Sequence, residues 1–341
     1  MSASAFLRPS ARRNVTVSEL AERLRGERQV LIVSHEAPDG DALGCVSALL
    51  LVVEGLGIGC RAYIPDVGSF PSEYLFLPRL DAILRGAPPP LEPGTTVYFL
   101  DCASFLRSNL RGPADGALTI NVDHHQDNPG YGALNLIDPT APSTTAILYE
   151  VFKAGGFTID ARVATALYVG LVTDTGRFQY SNTTPRAHCM AAELQEVGLD
   201  VSSVYRQVYE STPLPKLLLL RRALNHLEVR LGGALVISWL NNDDFVQAGA
   251  EEGHAEGIID ELRRIQGVRV LALLRERPAE SRAQVKVSLR STDGSVDVAA
   301  VAHKRGGGGH LQAAGFTSEE HINAVAAWIE SEIADLMGAR P

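Results

Sequence analysis

Three apolar stretches of the sequence run directly into side chains that can bind a metal ion. Residues 29–34 are followed by His35, Asp39 and Asp41, Thr96–Leu100 by Asp101, and residues 118–122 by Asp123-His124-His125. Short apolar runs of this kind predict buried strands. In an open α/β sheet the carboxyl ends of parallel strands meet along one edge, where ligands bind. We therefore expect these side chains to converge.

A fourth candidate, Asp174, follows a predicted helix over residues 161–173. Val163, Leu167 and Leu171 share one face of that helix, and Asp174 continues the same stripe. The end of a helix carries partial negative charge, so a carboxylate there is unfavourable unless a cation lies nearby. The position of Asp174 thus favours a metal site over an unpaired acid.

Several carboxylates cannot share one site uncompensated, because like charges a few ångströms apart oppose joint ionisation. Oxygen ligands mixed with imidazole suit Mn²⁺, Mg²⁺ or Fe²⁺, and the number of ligands indicates two ions. Two ions roughly 3.5–4 Å apart can activate a water and stabilise the leaving oxygen in phosphoryl displacement. Taken singly, each acid has an alternative interpretation as a turn or cap residue, and the two histidines as surface residues.

Length and composition limit the class of protein. The 341 residues are enough for two domains, and 45% hydrophobic with 21% charged residues is ordinary for a soluble protein. The net charge of −9 argues against binding long nucleic acid, which needs an extended basic surface. No stretch reaches the roughly 18 apolar residues of a membrane span. The four cysteines form no CxxC pair, which favours a reducing cytoplasm.

The order of predicted elements indicates an α/β protein with two domains. Strands and helices alternate through the first part, which predicts a mainly parallel sheet flanked by helices. The second part is a smaller α/β domain, with strands expected over 234–240, 268–274 and 284–289 and helices over 255–265 and 318–337. We assign residues 1–16 to a mobile tail, 17–198 to the first domain, 199–218 to a helical connector and 219–341 to the second domain.

Two features of the second domain could bind an anion. The glycines of Gly306–Gly309 before His310 would let backbone N–H groups approach a phosphate if they lay at a helix start, although a flexible linker fits the same pattern. Lys286, Ser288 and Arg290 share one face of a predicted strand and can donate to phosphate oxygens. Simple solvent exposure is the alternative for that face.

Taken together and in order, these motifs resemble those of the DHH phosphoesterase superfamily. The matching residues are His35-Glu36-Ala37-Pro38-Asp39-Gly40-Asp41, Asp101, Asp123-His124-His125 and Asp174-Thr175-Gly176. The run Gly307–Gly315, with His310 inside it, resembles the signature of the accompanying DHHA1 domain. Within the superfamily, the chain is most similar to the nanoRNase and pAp-phosphatase group and to the related cyclic-dinucleotide phosphodiesterases.

The resemblance implies a role for each matching residue. One Mn²⁺ would be bound by His35, Asp39 and Asp101, and a second by Asp41, Asp101, His124 and Asp174. His125 would face the scissile phosphate, with Asp123 orienting the histidine pair. In the second domain the substrate would be held across an interdomain cleft by Lys286, Ser288, Arg290, Ser291, Gly307, Gly308, Gly309 and His310.

The activity implied is that of a metal-dependent phosphoesterase. By analogy with the family, its substrates would be single-stranded RNA fragments of roughly two to five nucleotides and 3′-phosphoadenosine 5′-phosphate (pAp), which would yield AMP. A cyclic di-AMP or pApA phosphodiesterase is the alternative within the enzyme class, and a nucleotide-binding module without catalysis is the alternative outside it. We expect a cytoplasmic homodimer that binds neither membranes nor long nucleic acid.

Overall fold

A computed structural model describes residues 12–66, 68, 70–110, 117–277 and 284–338. The chain divides into two compact units, Met1–Ser211 and Thr212–Pro341. Each unit builds its own sheet and buries its own hydrophobic cores. No helix within the described part of the chain is long and apolar enough to cross a membrane.

Among its described residues, the first unit has a parallel sheet of seven strands and six α-helices. Its elements are β1 (Arg13–Asn14), α1 (Val17–Arg25), β2 (Gln29–Val33), α2 (Gly40–Gly55), β3 (Gly59–Ile64), β4 (Ile83–Arg85), β5 (Thr96–Leu100), β6 (Thr119–Asp123), β7 (Leu134–Ile137), α3 (Thr144–Gly155), α4 (Ala161–Asp174), α5 (Pro185–Glu196) and α6 (Val201–Tyr209).

The order of these strands creates the place where a ligand can bind. The seven strands lie in the order β1-β7-β6-β5-β2-β3-β4, and all pairs are parallel. From β2 the chain winds outward through β3 and β4, whereas from β5 it winds to the other side. The neighbours β2 and β5 are therefore the topological switch point, the place where open sheets form a crevice beyond their carboxyl ends.

Helix α2 is buried in the hydrophobic core that packs on this sheet. It is apolar around its whole circumference, which is typical of a helix buried on all sides. It packs on the sheet and against α4. Glycine residues allow the backbones of α2 and α4 to approach each other closely. A Cβ on Gly44 would lie 2.5 Å from the Ala166 carbonyl oxygen, and one on Gly40 would lie 2.5 Å from Thr173 Oγ1.

Regular structure is already present before the predicted start of the first domain. Arg13 and Asn14 pair in parallel with β7, Val15 is buried, and Thr16 caps α1 in a capping box with Glu19. The prediction of a mobile tail through residue 16 therefore extends too far along the chain, because this edge strand is hydrogen-bonded to β7. The remainder of that prediction, residues 1–11, lies outside the described residues.

The second unit is a mixed sheet with helices on both faces. Its elements are α7 (Leu214–Asn225), β8 (Glu228–Arg230), β9 (Leu235–Leu240), α8 (Asn242–Ala248), α9 (Ile258–Leu262), β10 (Val270–Arg277), β11 (Gln284–Ser291), α10 (Val298–His303), β12 (Gly308–His310), β13 (Ala313–Ser318) and α11 (Ile322–Leu336). The strands lie in the order β12-β13-β11-β10-β9-β8. One apolar core forms with α10 and α11, and a second with α7, α8 and α9.

Two sequence predictions in this unit were wrong. The helix predicted over 255–265 is broken into a 3₁₀ turn at Glu252–Ala255 and the short α9, because Gly257 takes a left-handed conformation between them. The helix predicted over 318–337 starts four residues later, at Ile322, since Ala313–Ser318 forms a strand. Small residues such as Ala313, Ala314 and Gly315 gave that strand no hydrophobic alternation.

Candidate metal centre

The predicted metal ligands converge beyond the carboxyl ends of β2, β5 and β6. Within each of two groups, the possible ligand atoms lie within 4.8 Å of one another: His35, Asp39 and Asp101 form one group, and Asp41, His124 and Asp174 form the other. A third group of this kind joins Asp101 and His124 to Asp123 and His125. Elements distant in the sequence therefore bring all six predicted metal ligands, together with Asp123 and His125, to one place. The apolar strands fix the backbone positions, and each side chain follows the end of its element.

Asp101 lies between the two groups. Its Oδ2 is 3.8 Å from His35 Nε2, and its Oδ1 is 3.7 Å from His124 Nε2. The side chain is buried, and Thr144 Oγ1 donates to Oδ1 at 2.9 Å. The backbone of Asp101 is left-handed, with φ +52°, a conformation that non-glycine residues adopt at some cost. The two oxygens of one fixed carboxylate thus face the two groups separately.

The Nε2 atoms of His35 and His124 both face carboxylates of the cluster. Nδ1 of His35 lies 2.7 Å from the Glu36 carbonyl oxygen, and Nδ1 of His124 lies 3.4 Å from that of Ala141. A carbonyl only accepts, so Nδ1 of His124 carries a proton. Nδ1 of His35 lies between this acceptor and Arg107 Nη2, a donor 2.8 Å away. Metal-binding histidines are commonly oriented by this kind of contact to a carbonyl.

Asp41 is held by the amino end of α3. Its Oδ2 accepts from the Thr144 backbone N–H at 2.6 Å, and its Oδ1 accepts from the Thr145 N–H at 3.0 Å and the Thr145 hydroxyl at 2.7 Å. The partial positive charge of a helix amino terminus stabilises a carboxylate there. A Cβ on Gly170 of α4 would lie 2.3 Å from Asp41 Oδ1, so only glycine leaves room for this carboxylate.

Asp123 is completely buried and its oxygens are occupied by hydrogen-bond donors. Oδ1 accepts from the backbone N–H groups of His124 and His125 and, at 2.7 Å, from His125 Nδ1, while Oδ2 accepts from Asn128 Nδ2. Since a carboxylate only accepts, His125 must carry its proton on Nδ1. The Nε2 atom of His125 is left without a role in this network, and its half-buried ring borders the metal-ligand groups.

The charges of the centre call for a cation. Burial and the neighbouring carboxylates raise the pKa of Asp41, and burial raises that of Asp174 to about 6. Burial alone would lower the pKa of His124, but the hydrogen bond from its Nε2 to Asp174, 3.1 Å long, and the nearby acids raise it to about 10. A proton on His124 here supplies positive charge that balances the negative charge of the neighbouring carboxylates. The oxygen and imidazole donors therefore fit two divalent ions.

The side chains predicted to bind an anion share one face of a strand in the second unit. Along β11 the side chains alternate, so Lys286, Ser288 and Arg290 lie on one face and are half-buried. Arg290 Nε donates to Asp260 at 2.9 Å, and Lys286 Nζ lies 3.6 Å from Glu256. Each cation is held in place yet keeps N–H groups that these contacts do not use.

Ser291 does not join this face. Its side chain points to the opposite side of β11 and is 1% exposed, and among the described residues its hydroxyl has no hydrogen-bond partner. The alternation of a strand places every second side chain on the other face, so the adjacent residues Arg290 and Ser291 cannot both face one ligand. We therefore leave Ser291 out of the proposed binding residues.

The glycines before His310 do not form the helix start that the sequence suggested. They follow the carboxyl end of α10, and Gly308–His310 pairs with β13 as the edge strand β12. A Cβ on Gly307 would lie 2.2 Å from the Gly315 carbonyl oxygen, and Gly309 has φ +142°. Close strand pairing, rather than a helix dipole, requires glycine here. In register, Gly308 lies opposite Gly315, which in turn pairs with Ser288.

Sequence reasoning missed the residues that hold the ligands in place. Thr144 and Thr145 follow Ser143, a helix-capping residue, and this Ser-Thr-Thr helix start was the available signal. No sequence pattern indicated a role for Asn128, which donates to Asp123. Arg107 was also missed, and its Nη2 lies 2.8 Å from His35 Nδ1 and 3.4 Å from the Glu36 carbonyl oxygen.

Family models match both units of the chain. The model of the DHH family, N-terminal domain, matches residues 29–171, and the DHHA1 domain matches residues 232–335. The first match covers β2 to most of α4, and thus all the metal-ligand candidates except Asp174. The second match includes the face of β11 and the glycines of β12.

Similar proteins cover most of the chain. The bifunctional oligoribonuclease and PAP phosphatase NrnA of Thermus thermophilus is 33% identical over 88% of this chain and 87% of its own length. The protein of that name from Bacillus subtilis is 27% identical over 84% and 88%. An exopolyphosphatase-related protein from Bacteroides fragilis has the same fold, with a TM-score of 0.83 at 22% identity over 92% of this chain and 94% of its own.

Proposed function

The chain belongs to the DHH family and carries a DHHA1 domain, and we propose that it is a metal-dependent phosphoesterase acting on short RNA. It degrades oligoribonucleotides to nucleoside monophosphates and dephosphorylates pAp to AMP. The observation that carries the proposal is the convergence of two groups of metal-ligand candidates around Asp101, which belongs to one group and lies 3.7 Å from His124 of the other. The names of the relatives from Thermus thermophilus and Bacillus subtilis support the choice of substrates.

Two divalent ions complete the centre, and we propose Mn²⁺, with Mg²⁺ or Fe²⁺ as alternatives. His35, Asp39 and Asp101 hold one, and Asp41, Asp101, His124 and Asp174 hold the other. Such ions supply Lewis acidity to the phosphoryl group and lower the pKa of water. Oxygen and imidazole donors, with no cysteine among the grouped side chains, support ions of this class.

The protein's own residues orient the reaction. Water adds to phosphorus in line as the bond to the 3′-oxygen breaks, and the departing oxygen takes a proton. We assign the donation of that proton to Nε2 of His125, because Asp123 accepts from the Nδ1–H and so stabilises the doubly protonated ring that can donate. Lys286, Ser288 and Arg290, with the backbone of Gly307–Gly309 and His310, bind the distal phosphate or nucleotide.

Location and assembly are parts of the same proposal. We place the protein in the cytoplasm as a homodimer that uses no membrane and no long nucleic acid. The four cysteines are unpaired in the structure, which suits a reducing compartment. The net charge of −9 opposes binding of a long polyanion.

Turnover of a substrate series tests the proposal. With Mn²⁺ present, RNA from the dinucleotide to a long oligomer is compared with pAp, pApA and cyclic di-AMP. We expect kcat/KM to be highest for the shortest RNAs, to fall steeply with length, and to include release of phosphate from pAp. A clear preference for cyclic di-AMP over every linear substrate would replace the proposal with the cyclic-dinucleotide alternative. Binding of these ligands without turnover would indicate a non-catalytic module.

A further inference from the structure

The chain makes an unusual turn directly after the metal-ligand candidate Asp174. Gly176, Arg177 and Phe178 all have left-handed backbones, with φ +54°, +63° and +63°. Glycine adopts this conformation freely, but Arg177 and Phe178 do so at a cost. Strain of this kind persists only where surrounding contacts enforce it, and it is concentrated at functional sites. The strain indicates that this turn has a role beyond connecting α4 to α5.

Hydrogen bonds fix this turn against the end of α4. The backbone N–H groups of Gln179 and Tyr180 both donate to the Thr175 carbonyl oxygen, at 2.9 and 3.0 Å. Asn182 Nδ2 donates to the Asp174 carbonyl oxygen at 3.1 Å. The Phe178 ring is stacked on His188, which anchors the middle of the turn. The chain thus folds back on itself, and Tyr180 returns to the residues that follow Asp174.

The ring of Tyr180 lies on the backbone of Gly176. A Cβ on Gly176 would be 2.4–2.6 Å from three atoms of this ring, so the ring rests directly on the glycine. Tyr180 is nevertheless 54% exposed. Other rings of this region are paired, Phe178 with His188 and Tyr205 with Tyr209, whereas Tyr180 pairs with no ring among the described residues. A rigid aromatic surface is therefore exposed to solvent, on a tight turn that begins directly after the metal-ligand candidate Asp174.

We propose that Tyr180 is the stacking platform for the nucleobase of the nucleotide whose phosphate reacts at the metal centre. The inference rests on the proposed function and names a residue that positions its substrate. Every nucleobase has a flat π-face, so stacking tolerates any sequence, as an enzyme that degrades mixed RNA fragments requires. A ring supported by backbone on one side binds a base without first having to become ordered.

Kinetics of Tyr180→Phe and Tyr180→Leu test the assignment, using a dinucleotide and an analogue that lacks the base on the reacting nucleotide. Tyr180→Leu should raise KM for the dinucleotide about 10-fold, the size expected for loss of one base stack. Its kcat and bound Mn²⁺ should not change, and its KM for the abasic analogue should equal that of the wild type. Tyr180→Phe keeps the ring and should restore the wild-type KM for the dinucleotide.

Two outcomes would overturn the platform while leaving the proposed function intact. One is an equal rise in KM for the dinucleotide and the abasic analogue, which would make Tyr180 structural. The other is an unchanged KM in Tyr180→Leu. A measurement on the wild-type protein provides an independent check: AMP should inhibit about 10-fold more strongly than ribose 5-phosphate, and equal inhibition would contradict stacking. A wild-type protein that turns over no short RNA would instead refute the proposed function.

Discussion

At the scale of single residues, the account depends on how each side chain uses its donors and acceptors. Oδ1 of Asp123 accepts from three N–H groups and Oδ2 accepts from Asn128, so these bonds fix the turn that carries His124 and His125. The two oxygens of Asp101, in contrast, face His35 and His124 separately. The contacts of Asp123 thus suit support of the histidines, and those of Asp101 suit the shared metal ligand that we propose.

Arg290 gives the first prediction at this scale. Asp260 holds its guanidinium at 2.9 Å while leaving other N–H groups for a phosphate. Arg290→Ala should raise KM for dinucleotides and pAp by roughly 10- to 100-fold, because a charge-assisted hydrogen bond contributes about 1.5–3 kcal/mol. Bound Mn²⁺ should stay at the wild-type level.

A matched control is Arg264→Ala, which removes an exposed arginine of the same unit that pairs with Glu261. Its KM should equal that of the wild type. Loss of bound metal in Arg290→Ala would show instead that Arg290 has a structural role.

Most of the candidate ligands could be recognised in the sequence because each follows an apolar strand or helix without a break. What could not be recognised is the contact between residues far apart in the chain. Asp41 and Thr145 are separated by 104 positions and meet only through the packing of α2 against α3. Ser291 shows the opposite error: proximity to Arg290 in sequence suggested a shared task, but strand alternation places it on the other face.

At the scale of elements, the amino end of α3 holds the acids in place. Ser143 caps this helix, and the Thr145 hydroxyl lies 2.8 Å from the Ser143 hydroxyl and donates to Asp41. The Thr144 hydroxyl donates to Asp101 while the Thr144 backbone N–H donates to Asp41, so this helix end contacts both acids. The helix therefore prepares the carboxylates for metal before an ion arrives.

Thr145→Val tests the role of this helix. The change preserves shape but removes a hydrogen bond to Asp41, and such changes outside the ligand set typically cost 10–100-fold in metal affinity. Calorimetric titration with Mn²⁺ should show about this loss for one of the two ions, with the other unaffected. Thr145→Ser should restore the affinity.

The control for loss of a buried hydroxyl is Ser47→Ala in the same unit, where the hydroxyl donates to the Pro78 carbonyl oxygen. It should bind Mn²⁺ as the wild type does. If Thr145→Val also bound both ions with unchanged affinity, the carboxylate would not depend on the helix end.

Elements with strong hydrophobic periodicity could be predicted from sequence, and those built from small residues could not. Thr96–Leu100 and Gly59–Ile64 have the predicted bounds, because five or six mainly apolar residues in a row have few alternatives to a buried strand. Gly308–His310 and Ala313–Ser318 were missed. Their glycine and alanine content reflects close backbone approach between strands, which only the pairing partner reveals.

At the scale of the whole molecule, the two units have separate cores. The apolar clusters of the first unit contain no residue beyond Tyr209, and those of the second contain none before Leu218. Each unit therefore buries enough apolar surface to fold as a domain of its own. The metal-ligand candidates all belong to the first unit.

This division predicts two thermal transitions, only one of which responds to metal. Ligand binding stabilises by mass action, by about 2.7 kcal/mol at 100 times Kd. Mn²⁺ should raise the Tm of the first unit and leave that of the second unchanged in calorimetry. A single transition that shifts as a whole with Mn²⁺ would show that the units unfold together.

The most direct test of the central claim is to measure bound Mn²⁺ per chain together with dinucleotide turnover in Asp101→Asn. Asp101 belongs to the group with His35 and Asp39, and its Oδ1 lies 3.7 Å from His124 of the other group, so we expect its charge to matter to both ions. The wild type should bind two Mn²⁺, and the variant should bind fewer and lose more activity than the roughly 10–100-fold cost of changes outside the ligand set. An Asp101→Asn protein that still binds two Mn²⁺ and hydrolyses the dinucleotide at the wild-type rate would contradict the shared-carboxylate centre.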